Sequence, residues 1–412
     1  MPGNDRASVT RRKTLSRIGI ALAGGGPLGG IYEVGASTAL EEAIDGLDLT
    51  QAHCYVGVSS GSFIAAALAN GISPEKLANI LLDDAATVFD PRLLLRPAFR
   101  EYFSRLLSIP QLAGSSALTW LRDPLHHGLF ESFQRLSHAI PTGLFDNRGI
   151  DDLLRRLFTG RGRTNNFRKL RHRLFLVATE LDSGESVAFG SEGHDDTPIS
   201  TAVQASAALP GLFPPVEIKG RHYVDGALIK TLHASVALRA GTELLFCINP
   251  LVPFDAELAA RRNTQHPRHL NDGGLPVVLS QTFRAIIHSR MRVGMDRYRH
   301  QFPDADVLLF EPTQDDGEMF FTNVFSYRDR RRLCEHAYQR TRQDLYRRRH
   351  ELMPILRQHG LSLNLAILKD HRRSLLQRPA RQSRVAITRS TQALDQALDE
   401  LQSWLALRGA GG

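Results

Sequence analysis

Two glycine-rich turns, each set between a short apolar run and a helical pattern, limit what this chain can fold into. The first follows residues 17–23 (RIGIALA), a β-branched run that reads as a buried strand, and consists of Gly24-Gly25-Gly26-Pro27-Leu28-Gly29-Gly30. From residue 31 to 44 apolar residues recur at helical spacing, and Gly46 supplies the stop. The second turn, Ser59-Ser60-Gly61, follows the apolar run Cys54–Val58 and leads into an alanine-rich helical stretch, residues 63–69, closed by Gly71. Strand, tight turn and helix thus occur twice in succession. Such units favour a parallel sheet covered by helices on both faces, an α/β fold.

The rest of the chain extends this order unevenly. Ser73-Pro74-Glu75 is a helix start, with serine as cap and proline at the first helical position. Residues 174–178 and 243–248 read as buried strands, and Ser186–Phe189 and Val216–Ile218 as shorter ones. Between about 82 and 145 the pattern changes: Phe89, Leu93, Phe99, Tyr102 and Phe103 are interleaved with Arg92, Arg96, Arg100 and Arg105, which reads as an amphipathic helical insert or cap. Residues 1–17 read as a disordered basic arm, 18–250 as the α/β domain, and 251–412 as a mostly helical C-terminal region. Near the end, Ile387, Leu394, Leu398, Leu401 and Leu405 mark one amphipathic helix.

Composition excludes several classes. Of 412 residues 42% are hydrophobic and 23% charged, values of a globular chain with a sizeable core. The 51 basic against 43 acidic residues give a formal charge of +8 and draw the chain to anionic partners such as phospholipid headgroups. No zinc-finger spacing, aromatic RNP-like strand or basic zipper is present, so nucleic acid is not an expected partner. The three cysteines, Cys54, Cys247 and Cys334, are widely separated and suit a reducing, cytoplasmic compartment. The basic start lacks the apolar stretch of a secretory signal, and no run of about 18 apolar residues spans a bilayer as a helix. Membrane contact is therefore expected to be peripheral, on an anionic surface.

Three short motifs carry chemistry. Gly57-Val58-Ser59-Ser60-Gly61 is a GxSxG between strand and helix, a context in which the central serine is forced into strained backbone angles and its hydroxyl stands above the sheet edge. The backbone N–H of Ser60, at the helix N-terminus, can receive the negative charge of an acyl-transfer intermediate. Gly24, Gly25 and Gly26 offer bare backbone N–H groups for the same purpose. The same loop also spells GxGxxG through Gly24, Gly26 and Gly29, a dinucleotide fingerprint, with Asp45 and Asp48 at about the spacing of a ribose-binding acid; the strand that should end in that acid ends instead at Ser59. The third motif, Asp225-Gly226-Ala227, follows the apolar Tyr223-Val224 and exposes a carboxylate at a strand end. Partial burial and closeness to the serine would make it a base. A histidine-dependent triad is the competing arrangement, with His233 or His288 placed after the acid in chain order. His222 is disfavoured, because nearby strand residues alternate between faces.

In this order, GGGxxG, GxSxG and DGA resemble the patatin-like lipid acyl hydrolases, including the cytosolic phospholipase relatives with a Ser-Asp dyad. The segments Ala205-Ser206-Ala207-Ala208-Leu209-Pro210-Gly211-Leu212-Phe213-Pro214-Pro215 and Ala178-Thr179-Glu180-Leu181-Asp182-Ser183-Gly184-Glu185 extend the resemblance, which covers roughly residues 18–250. It implies a three-layer fold with a mainly parallel central sheet, Ser59 as nucleophile, Asp225 as base and an oxyanion hole lined by Gly24, Gly25 and Gly26. Gly29, Gly57, Gly61 and Gly226 support these turns. The implied substrate is a lipid ester, phospholipid or lysophospholipid first, and the implied chemistry needs no metal or organic cofactor. One position departs from the family: Leu28 stands where a basic residue is common. Two other classes compete with the hydrolase, an NAD(P)-binding oxidoreductase using GxGxxG and a non-catalytic lipid-binding scaffold.

Overall fold

The computed structural model describes residues 16–82, 142–262, 269–322 and 327–376. The basic arm before Ser16, nearly all of the 82–145 insert and the leucine repeat of residues 387–405 lie outside the described residues.

In chain order the elements are β1 (Ile18–Leu22), α1 (Gly26–Ala43), β2 (Ile44–Asp45), β3 (Cys54–Val58), α2 (Ser60–Ala69), α3 (Pro74–Leu82), α4 (Arg148–Phe158), β4 (Arg173–Glu180), β5 (Ser186–Phe189), α5 (Ile199–Ser206), β6 (Val216–Ile218), β7 (Arg221–Asp225), α6 (Ala234–Arg239), β8 (Leu244–Ile248), α7 (Ala256–Arg261), α8 (Gly274–Gln301), β9 (Asp306–Phe310), α9 (Gly317–Phe321), α10 (Tyr327–Arg347), α11 (Arg349–Gln358), β10 (Ser362–Leu363) and α12 (Leu365–Lys369). β1 lies inside the main sheet, parallel to β3 on one side and β8 on the other; β4 continues the parallel order beyond β3, and β9 beyond β8. The inner strands β3 and β8 are buried along their whole length, as parallel strands covered on both faces must be.

Antiparallel strands complete the far edge and set the site. Val177 of β4 pairs with Val58 of β3 on one side and Ala188 of β5 on the other, while the next residue, Ala178, pairs with Val187 of β5 and Asp225 of β7. β5 therefore holds one edge of β4, and β3 and β7 share the opposite one. They run toward each other and stop at adjacent rungs, Val58 opposite Val177 and Asp225 opposite Ala178.

Alternation along the strands divides the core into two layers. Ala21, Cys54, Val56, Val58, Leu245 and Cys247 face one way and pack with Ala234, Ala237 and Leu238 of α6 and Met291 and Tyr298 of α8. Gly57 faces the other way, where a side chain would strike Ala65 of α2. Beyond α2, the long helix α1 packs on α10. Gly35 makes that approach feasible, since a Cβ there would overlap the Cys334 carbonyl and crowd Ala337. At the next turns Tyr338, fully buried, donates its hydroxyl hydrogen bond to the Glu42 carboxylate.

The three-layer α/β architecture is as expected, with two differences. α1 begins at Gly26 rather than near residue 31, because Pro27 enters the first turn, where its missing N–H and fixed φ cost nothing. Among the described residues beyond 250 helices predominate, yet Asp306–Phe310 forms β9 and adds a strand to the sheet. Five residues of DVLLF carry too short an apolar run for periodicity to separate strand from buried helix. Replacing Gly35 with alanine is expected to lower stability by about 1–3 kcal/mol through overpacking, read as a fall in the urea midpoint. An unchanged midpoint would mean that α1 and α10 do not meet at this point.

Candidate active site

Ser59 follows β3 directly and precedes α2, so the chain must reverse between a strand and a helix at one residue. Its backbone takes φ 52° and ψ −124°, in the positive-φ region that a non-glycine residue rarely enters. Strain of this kind costs on the order of 1–3 kcal/mol and persists only where neighbours hold it. Here the Ser59 carbonyl accepts from the Ser62 backbone N–H at 3.0 Å and the Ser62 hydroxyl at 2.5 Å. The Ser59 N–H donates to the Ser206 hydroxyl at 2.9 Å, which in turn donates to the Val177 carbonyl at 2.6 Å. The two motif glycines are required by space. A Cβ on Gly57 would sit 2.5 Å from Ser62 Cα, and one on Gly61 would sit 2.6 Å from the Leu22 and Ala23 carbonyl oxygens.

Asp225, at the tip of β7, lies against this turn because β3 and β7 end at adjacent rungs of β4. The Ser59 hydroxyl lies close enough to the Asp225 carboxylate to pull its pKa down, and the Ala227 N–H donates to Asp225 Oδ1 at 2.8 Å. The backbone is held as well, by Asp225 N–H to the Ala208 carbonyl at 2.9 Å and Thr179 hydroxyl to the Asp225 carbonyl at 3.3 Å. The residue is 2% exposed. Burial pushes its carboxyl up to about 6, against the opposing pull of the Ser59 hydroxyl and the Ala227 N–H. Gly226 allows the close approach, because a Cβ there would overlap the Val177 carbonyl.

The glycine loop closes the third side. A Cβ on Gly24 would lie 2.9 Å from Ser59 Cβ and 3.1 Å from Ala227 Cβ, so the loop's main chain rests on the serine and the aspartate turn together. Gly25 and Gly29 both face Pro250, whose Cγ would stand 2.6 Å and 2.9 Å from their added Cβ atoms. Gly26 alone of the first three needs glycine for its angle, φ 60°. α1 and α2 start immediately after the neighbouring parallel strands β1 and β3, which pair at Leu22 and Gly57. Their N-termini, with unsatisfied N–H groups and positive dipole ends, therefore open side by side at the serine. Leu28 sits half-buried in the first turn of α1.

The other sequence candidates are elsewhere. His233 is buried with Nε2 3.4 Å from the Gly226 carbonyl, and burial lowers its pKa to about 4. His288 Nε2 lies 3.7 Å from Glu311, and His222 is exposed, paired across the sheet with Glu217. Asp45 is on β2 and accepts from the Asn364 amide, while Asp48 turns onto Thr50; both precede β3, away from the end at which the glycine loop lies. Neither is placed as a ribose acid. Two contributors escaped the sequence reading, Ser206 and Pro250. Ser206 lies within a recognised segment, but its partner Ser59 is 147 residues away, and Pro250 carries no chemical signature.

A sequence model described as patatin-like phospholipase matches residues 20–238. Among solved structures, VipD from Legionella pneumophila is 16% identical with a TM-score of 0.36, the match covering 80% of this chain and 66% of that one. The type III effector ExoU of Pseudomonas aeruginosa is 16% identical with a TM-score of 0.33, over 81% of this chain and 53% of that one. Human GIVD cytosolic phospholipase A2 bound to a fluorophosphonate is 17% identical with a TM-score of 0.26, over 62% and 44%. The chain thus spans only 66% and 53% of the length of the first two.

The raised carboxyl carries a stability cost with a definite sign. A folded pKa of about 6 against an ordinary 3.8 means that the native state binds the proton more tightly, so stability falls as pH rises through this window. At about 1.4 kcal/mol per pH unit, ionised Asp225 costs the fold on the order of 3 kcal/mol at neutral pH. Asp225→Asn should therefore melt above the wild type at pH 8, and the gap should narrow toward pH 4. A variant less stable at pH 8 would contradict this.

Proposed function

The chain belongs to the patatin-like phospholipase family, and from that premise we propose that it is a serine hydrolase of lipid acyl esters, with Ser59 as nucleophile and Asp225 as its base. The observation that supports this most directly is the placing of the Ser59 turn and a buried carboxylate at adjacent rungs of β4, with a glycine loop against the Ser59 side chain. A buried aspartate raised to about 6 is a better proton acceptor than an ordinary one and is still mostly ionised at neutral pH. The substrate class is a phospholipid or lysophospholipid.

The reaction proceeds in two halves. Asp225 accepts the Ser59 proton as the oxygen attacks the ester carbonyl, and the oxyanion that forms is held by backbone N–H groups of the glycine loop and of Ser60. Asp225 returns the proton to the departing alcohol or lysolipid. Water then attacks the acyl-enzyme with Asp225 again as base, which restores the hydroxyl and frees the fatty acid. Because the hole is built from main chain, Leu28 in place of a basic residue leaves the donors intact and acts on what enters above them.

Ser59→Ala and Asp225→Asn should each reduce hydrolysis of a chromogenic acyl ester by at least about a thousandfold while the fold is kept. In the wild type kcat/KM should rise with pH through about 6, where Asp225 loses its proton, and then level off. Near-wild-type turnover in either variant refutes the dyad.

A further inference from the structure

The N-terminal half of α8 is inverted relative to an ordinary surface helix. Its inward face there carries Gln281, Arg284 and His288, the last two buried, whereas Met291 and Tyr298 continue that face into the apolar core. Arg284 donates to the Val252 carbonyl at 3.2 Å and lies over the Phe320 ring at 5.0 Å. Gln281 accepts from the Phe254 N–H and donates to its carbonyl. Along the outward face Leu275, Leu279, Phe283, Ile286 and Val293 are between 46% and 69% exposed. Their spacing of three, four and seven residues lines them along one stripe of the helix. A large apolar side chain left in water forgoes the gain of burial, and a stripe of this kind marks a contact surface.

Charge decides what covers it. Arg290 and Arg297 are exposed on the same side of α8, and the whole chain is at +8. Apolar side chains with arginines beside them suit a helix lying in the plane of an anionic bilayer, the stripe in the acyl boundary and the guanidinium groups at phosphates. Among the described residues no helix is long and apolar enough to cross a membrane. The helix is also tied to the proposed site. Met291 and Tyr298 pack in the core layer that contains Val58 and Val177, and Arg290 donates to the carbonyl of Leu228 at 3.3 Å, three residues beyond Asp225.

We propose that the outward stripe of α8 is a docking surface for anionic phospholipid bilayers and brings the Ser59 turn to the lipid. The choice of a bilayer over a protein partner rests on the lipid-ester reading of the site.

The test uses the full chain with Ser59→Ala, so that vesicles stay intact, and a second protein that adds Leu279→Ser, Phe283→Ser and Ile286→Ser. Both are co-sedimented with vesicles of equimolar phosphatidylcholine and phosphatidylglycerol and with phosphatidylcholine alone. The unsubstituted stripe should bind the mixed vesicles and release them as salt rises; the triple variant should bind at least about tenfold less. In the Ser59 background the same stripe substitutions should leave turnover of a water-soluble short-chain ester and the melting temperature unchanged. Val293→Asp is a second, single variant with the same expectation. Equal vesicle binding by either stripe variant, or a stripe variant that elutes as a smaller species in size exclusion, overturns the proposal, the latter because the stripe then joins copies of the chain. If the soluble ester is not hydrolysed even with Ser59 present, the dyad reading fails, and the sedimentation result still decides the docking surface by itself.

Discussion

The site depends on two strands that meet head-on along one edge of β4. Parallel β3 climbs that edge to Val177, antiparallel β7 descends it to Ala178, and the residues at their tips are Ser59 and Asp225. Backbone hydrogen bonding of the sheet, rather than any side-chain contact, thus sets the separation of the two groups. Gly226 and Ser206 both engage the carbonyl of Val177, the rung at which the strands meet: one by having no side chain to strike it, the other by hydrogen-bonding it. A shift of register by one residue would turn both tips to the wrong faces.

Holding this arrangement is costly, and the surrounding packing offsets the cost. Ser59 is strained, and Asp225 is a carboxylate 2% exposed, with the Ala227 N–H donating to it. Against this stand the fully buried strands β3 and β8, a core layer contributed by α6 and α8, and the close approach of α1 to α10 through Gly35. α10 begins beyond residue 320, outside the stretch matched by the family model, yet it covers the helix that starts at the glycine loop. The later chain is therefore part of what keeps the first helix in place.

Much of this was legible in the residues. The runs at β1, β3, β4 and β8 are short, apolar and β-branched, and the glycine turns between strand and helix announce both the parallel order and the loop that rests on Ser59. Local patterns say little about pairing between distant segments. The antiparallel β7 and the end-to-end meeting with β3 follow from register, which Tyr223-Val224-Asp225 does not reveal. β9 was hidden because five apolar residues suit either regular structure. Ser206 was visible as part of a segment, but a serine that bridges two strands looks the same in sequence as one in a turn. The inversion of α8 was invisible for a different reason: apolar periodicity shows which residues share a stripe, and only the fold shows which way that stripe points.

We propose one hydroxyl, Ser59, as the nucleophile because a buried carboxylate and a glycine loop lie against it. The most direct measurement is reaction of the intact, folded chain with a fluorophosphonate probe, followed by peptide mass spectrometry to find the modified residue. A single stoichiometric adduct on Ser59 is expected. An adduct on a different serine, or none on a folded chain, would contradict it.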